Sequence, residues 1–540
     1  MALNMSDYAV ERASFTWTPP ERFNFARDVI DGWGEREPSK LAMWWVDDHG
    51  HERRITYREM SERSRRLCNV LVQAGVKRGD TVIVMLPRVV AWWEIMTACL
   101  RMGAVMSPGT TQLAPKDLAY RIQASNAAAI ITDEKNAAKI TAVGDAARQV
   151  SVQLCVGADV AGWLNYEAAV SAASPVFEAA DTAPSDDALC YFTSGTTGYP
   201  KMAIQTQGYG LAHQITGHYW LDLTPADLHW NLSDTGWAKA AWSSYFAPWN
   251  CGAALFIHHT ETFDAKRTLE ILARYPVTTF CGAPTIYRML VLEDLKAHEF
   301  PHLRHVVGAG EPLNPEVIET WLAATGLTIR DGYGQTESVL LCASFPCLEP
   351  RFGSMGKPSP GIDLAVIDDE GKALPPDREG DVAVRVEPHW PPGLFKEYRG
   401  DEERTRKCFR HGWYLTGDRA YVDKDGYFWF VGRADDVINS AGYRIGPFEV
   451  ESALLEHPAV AESAVVSSPD EMRGEVVKAF VVLAPGFDGD EALIKALQDY
   501  VKGVTAPYKY PRKIEFVTAL PKTVSGKIRR VELREREWAK

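Results

Sequence analysis

From residue 79 to residue 310 the chain alternates short apolar runs with longer amphipathic ones. GDTVIVMLP (79–87) reads as a buried strand, and AWWEIMTACLRMGA (91–104) as a helix packed behind it. AAIITD (128–133), ALCYF (188–192), AALFIHH (253–259), TTFCGAP (278–284) and LRHVVGAG (303–310) continue the strand series. Helical patterns such as DAKRTLEILARY (264–275) fall between them. Strands alternating with helices predict parallel sheets covered on both faces.

After about residue 360 the texture changes. LAVIDDEGKAL and YVDKDGYFWFVGR each set acidic-Gly turn residues between short apolar runs, the mark of hairpins and of a β-barrel-like subdomain. GRADD (432–436) then leads into a stretch with its own pattern. It holds a helix at GPFEVESALLEH, strands near AESAVV and VVKAFVVLA, a helix at DEALIKALQDYVK and a strand at KIEFV. The predicted class is α/β. Residues 1–432 form a large domain of parallel and mixed sheets with helices plus the barrel-like part, 433–436 a hinge, and 437–540 a small mobile α+β domain. About 105 residues is an ordinary domain size.

Composition narrows the function classes. A chain of 540 residues is too long for one core, and 46% hydrophobic with 24% charged residues is usual for a globular protein. A net charge of −13 argues against a nucleic-acid or anionic-membrane binder, whose affinity rests on clustered basic charge. No stretch approaches the roughly 18 apolar residues of a membrane span. The start, MALNMSDYAVERASF, lacks the basic and apolar blocks of a secretory signal. Nine cysteines are scattered; Cys342 and Cys347 come nearest to metal spacing but have no histidine partners close by. Reduced thiols in the cytoplasm, with no disulfide framework or zinc site, are the expectation.

The stretch YFTSGTTGYPK (191–201) packs hydroxyls, glycines and one lysine behind a strand. Glycines let the backbone approach closely, and hydroxyls and amides donate to phosphate oxygens, so the turn suits a phosphate cradle as well as a surface loop. It is neither a Walker A nor a GxGxxG sequence. DGYGQTES (331–338) places an aromatic, a hydroxyl and a carboxylate after a strand. There Glu337 suits Mg²⁺ beside phosphates, and Tyr333 suits a purine face or the core. WYLTGD (413–418), GRADDVINSAGYRIGPFEVE (432–451) and PKTVSGKIRR (521–530) follow. Asp418 has two acceptor oxygens for ribose hydroxyls, and Arg433 and Arg444 suit phosphate or ribose. Each residue alone also fits a solvated surface charge.

In this order the motifs resemble the adenylate-forming superfamily of acyl-CoA synthetases, luciferases and peptide-synthetase adenylation domains. SDTGWAKAAW (233–242), GAGEPLNPEV (308–317) and VTAPYKYPRKIEF (504–516) look most like the medium-chain acyl-CoA synthetase branch. The resemblance implies MgATP, coenzyme A and a medium-chain, branched or aromatic carboxylic acid as substrates. The acid is first adenylated with loss of pyrophosphate, and the CoA thiol then expels AMP. It implies that Thr193, Ser194, Gly195, Thr196, Thr197, Gly198 and Lys201 hold the β- and γ-phosphates, with Thr196 and Glu337 near Mg²⁺. Gly310, Glu311 and Pro312, together with Asp331, Gly332, Tyr333, Gly334, Gln335 and Thr336, would frame adenine and the α-phosphate. Asp418 and Arg433 would fix the ribose, and Arg444 would sit near the nucleotide. Lys527 would bridge the carboxylate and the α-phosphate, swung in about Asp435.

For CoA the resemblance points to Gly442, Tyr443, Arg473, Lys502, Tyr510, Pro511 and Arg512. For the acyl group it points to Trp237, the 282–284 turn and Gly308, with Gly282 and Gly308 leaving room for bulk. Two other readings stand beside this one. A peptide-synthetase adenylation unit is disfavoured, because only ten residues follow Arg530 and a carrier domain is not expected there, whereas a free-standing enzyme that loads a separate carrier protein stays open. A non-catalytic nucleotide binder could keep the fold, although it would be expected to lose one of Lys527, Glu337, Thr196 or Asp418.

Overall fold

The computed structural model describes residues 2–193, 200–440, 443–470, 473–523 and 527–539, with Tyr443 and Arg444 described in backbone only. Two large sheets carry most of the chain. In the first, strands Asp187–Thr193, Val105–Pro108, Thr81–Met85, Ala129–Asp133, Val152–Val156 and Leu164–Asn165 run parallel in that order. Lys201–Thr206 and Glu397–Arg399 are added antiparallel at one edge. In the second, Ile329–Gly334, His305–Ala309, Thr279–Gly282, Leu228–Asn231, Ala254–His259 and Leu41–Asp47 run parallel. Its edge strands are antiparallel.

Strand alternation divides the core. Val82 and Val84 join the interior shared by both sheets, whereas Ile83 and Met85 pack outward with Leu118 and Ile122. Leu255 and Ile257 likewise face inward, and Phe256 faces outward with Leu269 and Tyr275. Period-two geometry makes this obligatory for a strand buried on both sides. Helix Val90–Met102 is buried at every position, as a helix in a shared interior must be. It ends at Gly103, whose φ of +74° closes the last turn.

Residues 364–433 form a five-stranded antiparallel sheet: Leu364–Ile367, Gly380–Arg385, Phe409–Arg410, Trp413–Val422 and Phe428–Arg433. This is the region expected to be barrel-like. A fourth sheet, built from Ile438–Ser440, Tyr443–Ile445, Val460–Asp470, Gly474–Leu483 and Lys513–Phe516, has its own core around Ile438, Val465, Ala479 and Leu497. Helices Pro447–Leu455 and Glu491–Val504 pack on it.

Candidate active site

The hydroxyl-rich turn joins two antiparallel strands, with Thr193 directly opposite Lys201. Ser194, Gly195, Thr196, Thr197 and Gly198 lie outside the described residues, as does Gly442, and so do the side chains of Tyr443 and Arg444. Around the base of the turn the chemistry is ordered. Tyr398 lies on the strand beside Lys201–Thr206, and its hydroxyl donates to Glu337 Oε1 at 2.6 Å. Lys201 Nζ lies 4.8 Å from the Tyr398 ring centroid. Burial and the nearby Arg404 guanidinium lower the Lys201 pKa, while Glu337 opposes them. Gln205 Nε2 donates to the Thr336 carbonyl at 2.7 Å and ties this sheet to the 331–338 segment.

The sequence places that segment after a strand, but its first half is the strand itself, which runs from Ile329 through Gly334. Its two glycines explain themselves. A Cβ on Gly332 would fall 2.5 Å from the Trp220 ring, and one on Gly334 would fall 2.3 Å from that of Trp242. Only glycine lets the strand lie on both indoles. Tyr333, between them, turns its hydroxyl to Asp418 Oδ2 at 2.5 Å, and Gln335 Nε2 donates to the same oxygen at 2.7 Å. Asp418 is buried and sits in register with Arg433, whose Nη1 is 3.3 Å from Oδ1. Burial raises the Asp418 pKa, and Arg433 and the two hydrogen bonds resist.

Across the cleft, Gly310 has a φ of +111°, the left-handed region that favours glycine, and it turns the chain into Glu311 and Pro312. Arg288 Nη2 holds Glu311 Oε2 at 3.0 Å. Asp331 is buried, and burial pushes its pKa up to about 8, against the Gly332 and Leu313 amides and Lys239. Lys527 reaches this place from the last turn of the chain. It is solvent-accessible, yet protein crowds it closely enough that burial lowers its pKa. Glu311 and Asp418 pull that pKa back up, and Lys239 and Arg433 push it down. One ammonium therefore feels both walls of the cleft.

The CoA candidates divide. Lys502 Nζ lies 4.3 Å from the Tyr510 ring centroid, and Arg512 Nη1 donates to the Tyr510 hydroxyl at 2.8 Å, so these three cluster. Gln498 clamps the Pro511 and Arg512 carbonyls. Lys502 is also paired with Asp499 at 2.8 Å. Arg473 stands apart, beside Gly474, which pairs with Ser440.

The acyl candidates need a correction. Gly282 and Gly308 are register partners on the face occupied by Phe280 and Val306, and a Cβ on either would meet the Tyr287 ring, at 3.1 Å and 3.6 Å. They make no room toward the shared interior, because strand alternation points their missing side chains outward. Trp237 is half-buried and precedes helix Ala238–Ala241. Asp435 follows the last strand of the five-stranded sheet and accepts from Arg534 through its carbonyl at 2.6 Å.

Sequence reasoning missed Tyr398, Arg404, Arg288 and Lys239. Lys239 lay within a quoted motif; its Nζ is buried without a hydrogen-bond partner among the described residues, 5.5 Å from the Trp220 ring centroid. The surface cavity of about 370 Å³ beside Phe15, His218 and Cys251 lies away from this cleft.

The profile of the AMP-binding enzyme family matches residues 30–398, and that of the AMP-binding enzyme C-terminal domain matches 449–527. The chain is 50% identical to mitochondrial acyl-coenzyme A synthetase ACSM3 of Homo sapiens, over 99% of this chain and 93% of that protein. It is 49% identical to mitochondrial ACSM4 of Homo sapiens, over 96% and 91%. Among solved structures, the anthranilate CoA ligase AuaEII in complex with anthranoyl-AMP superposes with a TM-score of 0.89 at 31% identity, covering 96% of this chain and 98% of that one. A benzoate CoA ligase from Burkholderia xenovorans gives 0.83 at 29% identity, covering 95% and 100%. The mitochondrial relatives overturn the cytoplasmic expectation. Scattered unpaired cysteines do not distinguish one compartment from another.

Proposed function

The chain belongs to the AMP-binding enzyme family, in its medium-chain acyl-coenzyme A synthetase branch, and we propose that the acid it activates is a medium-chain, branched or aromatic carboxylate with Lys527 as the group that joins it to the nucleotide. As a member of that branch it converts a carboxylic acid and ATP to acyl-AMP and pyrophosphate, then passes the acyl group to coenzyme A and releases AMP. An anthranilate ligase and a benzoate ligase among the structural neighbours support keeping aromatic acids in the range.

The observation that supports the assignment is that Lys527 feels the negative charge of both Glu311 and Asp418, each of which pulls its pKa up. A carboxylate attacks a triphosphate against like-charge repulsion, and an ammonium between the two offsets that repulsion and sets the attack geometry. Asp418, with one oxygen taken by Tyr333 and Gln335, presents the other toward Arg433, an arrangement suited to the ribose hydroxyls. Lys201 and the turn before it suit the β- and γ-phosphates, and Tyr333 to Thr336 with Gly310 to Pro312 suit the adenine and α-phosphate. Glu337 fits a magnesium ion that arrives with ATP. Tyr398 occupies Oε1, and Oε2 has no hydrogen bond among the described residues. Thr196 would be its companion. The ion would neutralise phosphate charge as pyrophosphate departs.

The second half-reaction needs Lys527 withdrawn and the thiol admitted, so the unit from residue 437 onward is assigned as mobile, with Asp435 at its hinge. The cluster of Lys502, Tyr510 and Arg512 is assigned to the CoA phosphates. Lys527→Ala tests the reading. Adenylation, followed as pyrophosphate release with a panel of acids, should fall by about a hundredfold or more. Thioester formation from supplied acyl-adenylate should survive, and equal loss in both would overturn the assignment.

A further inference from the structure

Asn314 precedes helix Pro315–Thr325, the place where an asparagine side chain ordinarily accepts from the helix's own first amides. Here it caps nothing. Its buried amide is turned away, and Nδ2 donates to Ser452 Oγ at 3.0 Å, on helix Pro447–Leu455 of the small domain. Its Oδ1 faces Arg288 Nη1 at 3.5 Å, and the same guanidinium holds Glu311. On the other side, Glu451, next to Ser452, pairs with Arg530 Nη2 at 2.6 Å, three residues beyond Lys527. Polar contacts, joined through the backbone between Ser452 and Glu451, thus run from Glu311, across the domain junction, to the segment that carries the lysine.

We propose that Asn314 and Ser452 form a latch that positions Lys527 for adenylation, and that Arg288 couples the latch to Glu311 and hence to nucleotide occupancy. The inference rests on the proposed alternation of the small domain. The junction also contains an opposing element. Glu316, in the first turn of the Asn314 helix, feels the negative charge of Glu456 of the small domain, and partial burial with that like charge and that of Glu319 raises the Glu316 pKa. Attraction through one hydrogen bond and repulsion between two carboxylates leave the docked state stable enough to form and weak enough to release. Asn314 is therefore a positioning residue: it touches no reacting atom and acts through Lys527.

The test measures the two half-reactions separately in full-length Asn314→Ala, Ser452→Ala and the double variant. Adenylation should fall about three- to tenfold in each single variant, the worth of one neutral hydrogen bond. The double variant should be no worse than either single one. Thioester formation from supplied acyl-adenylate should be unchanged or faster. Glu456→Gln should act in the opposite sense, with faster adenylation and slower thioester formation. Equal loss in both half-reactions, additive single effects, or no change in adenylation would overturn the latch. Wild-type enzyme that forms no acyl-adenylate would instead sink the catalytic reading beneath it.

Discussion

Asp331→Asn should remove a pH-dependent stability loss that the buried carboxyl imposes on the wild-type fold. Asp331 is 8% exposed, and the Gly332 amide donates to its Oδ1 at 2.9 Å. Burial takes its pKa from the ordinary 3.8 to about 8. A carboxyl whose folded pKa lies above its unfolded one keeps a proton that the unfolded chain has already released. Its contribution is therefore fully present below about pH 4 and is lost as the pH climbs toward 8. Each unit is worth about 1.4 kcal/mol, so by pH 7 the loss reaches about 4 kcal/mol. That is a large share of the roughly 5–15 kcal/mol that holds a domain folded. Asparagine has the same shape, keeps an acceptor for the Gly332 amide and does not titrate. Urea unfolding of both proteins at several values between pH 5 and 8 gives the comparison. The variant should gain on the wild type by about 1.4 kcal/mol per unit across that range. Parallel curves would refute the reasoning. The functional corollary is that a protonated Asp331 adds no negative charge to a cleft that receives a triphosphate.

Two further outcomes follow from the same cleft. Gly334→Ala places a Cβ 2.3 Å from the Trp242 ring and 2.5 Å from the Val339 carbonyl, and the backbone oxygen cannot step aside. Overpacking of this kind costs about 1–3 kcal/mol, read as a lowered urea midpoint together with weaker ATP binding; a midpoint unchanged from wild type would contradict it. Lys527 acts as an ammonium and its pKa lies below the ordinary 10.5, because burial, Lys239 and Arg433 outweigh Glu311 and Asp418. The charge is lost as pH rises through that lowered value, so kcat/KM for adenylation should fall on the alkaline side earlier than an ordinary lysine allows. Lys527→Arg, in so far as it retains activity, should push that limb upward; a limb that stays put belongs to another group.

Apolar patterning along the chain was enough to find six strands of the two large sheets, because a strand buried on both faces needs an apolar run whatever it packs against, though it missed Leu41–Asp47, Val105–Pro108, Val152–Val156 and Leu228–Asn231. It was not enough to sort them into sheets. Leu41–Asp47 pairs with Ala254–His259, some two hundred residues away, and local periodicity carries no trace of such a partner. The motif residues show the same division. Gly332, Tyr333 and Gly334 were legible as a group, but the reason for both glycines is a pair of tryptophans, Trp220 and Trp242, that come from elsewhere in the chain. Gly282 and Gly308 looked like the same device and are not, since their register places the absent side chains on the opposite face. Asn314 is the sharpest case. Its position before a proline-led helix makes a local cap the natural expectation, and the residue forgoes that bond for one across the domain junction. A sequence rule breaks there because the competing partner is tertiary and belongs to one arrangement of the two domains. Forgoing a cap leaves about 1 kcal/mol of helix stability unused, and the junction contacts of Asn314 with Ser452 and Arg288 must return more than that when the domains dock. The asparagine then favours the docked arrangement by no more than about the worth of one hydrogen bond, a margin small enough for ligands to decide it.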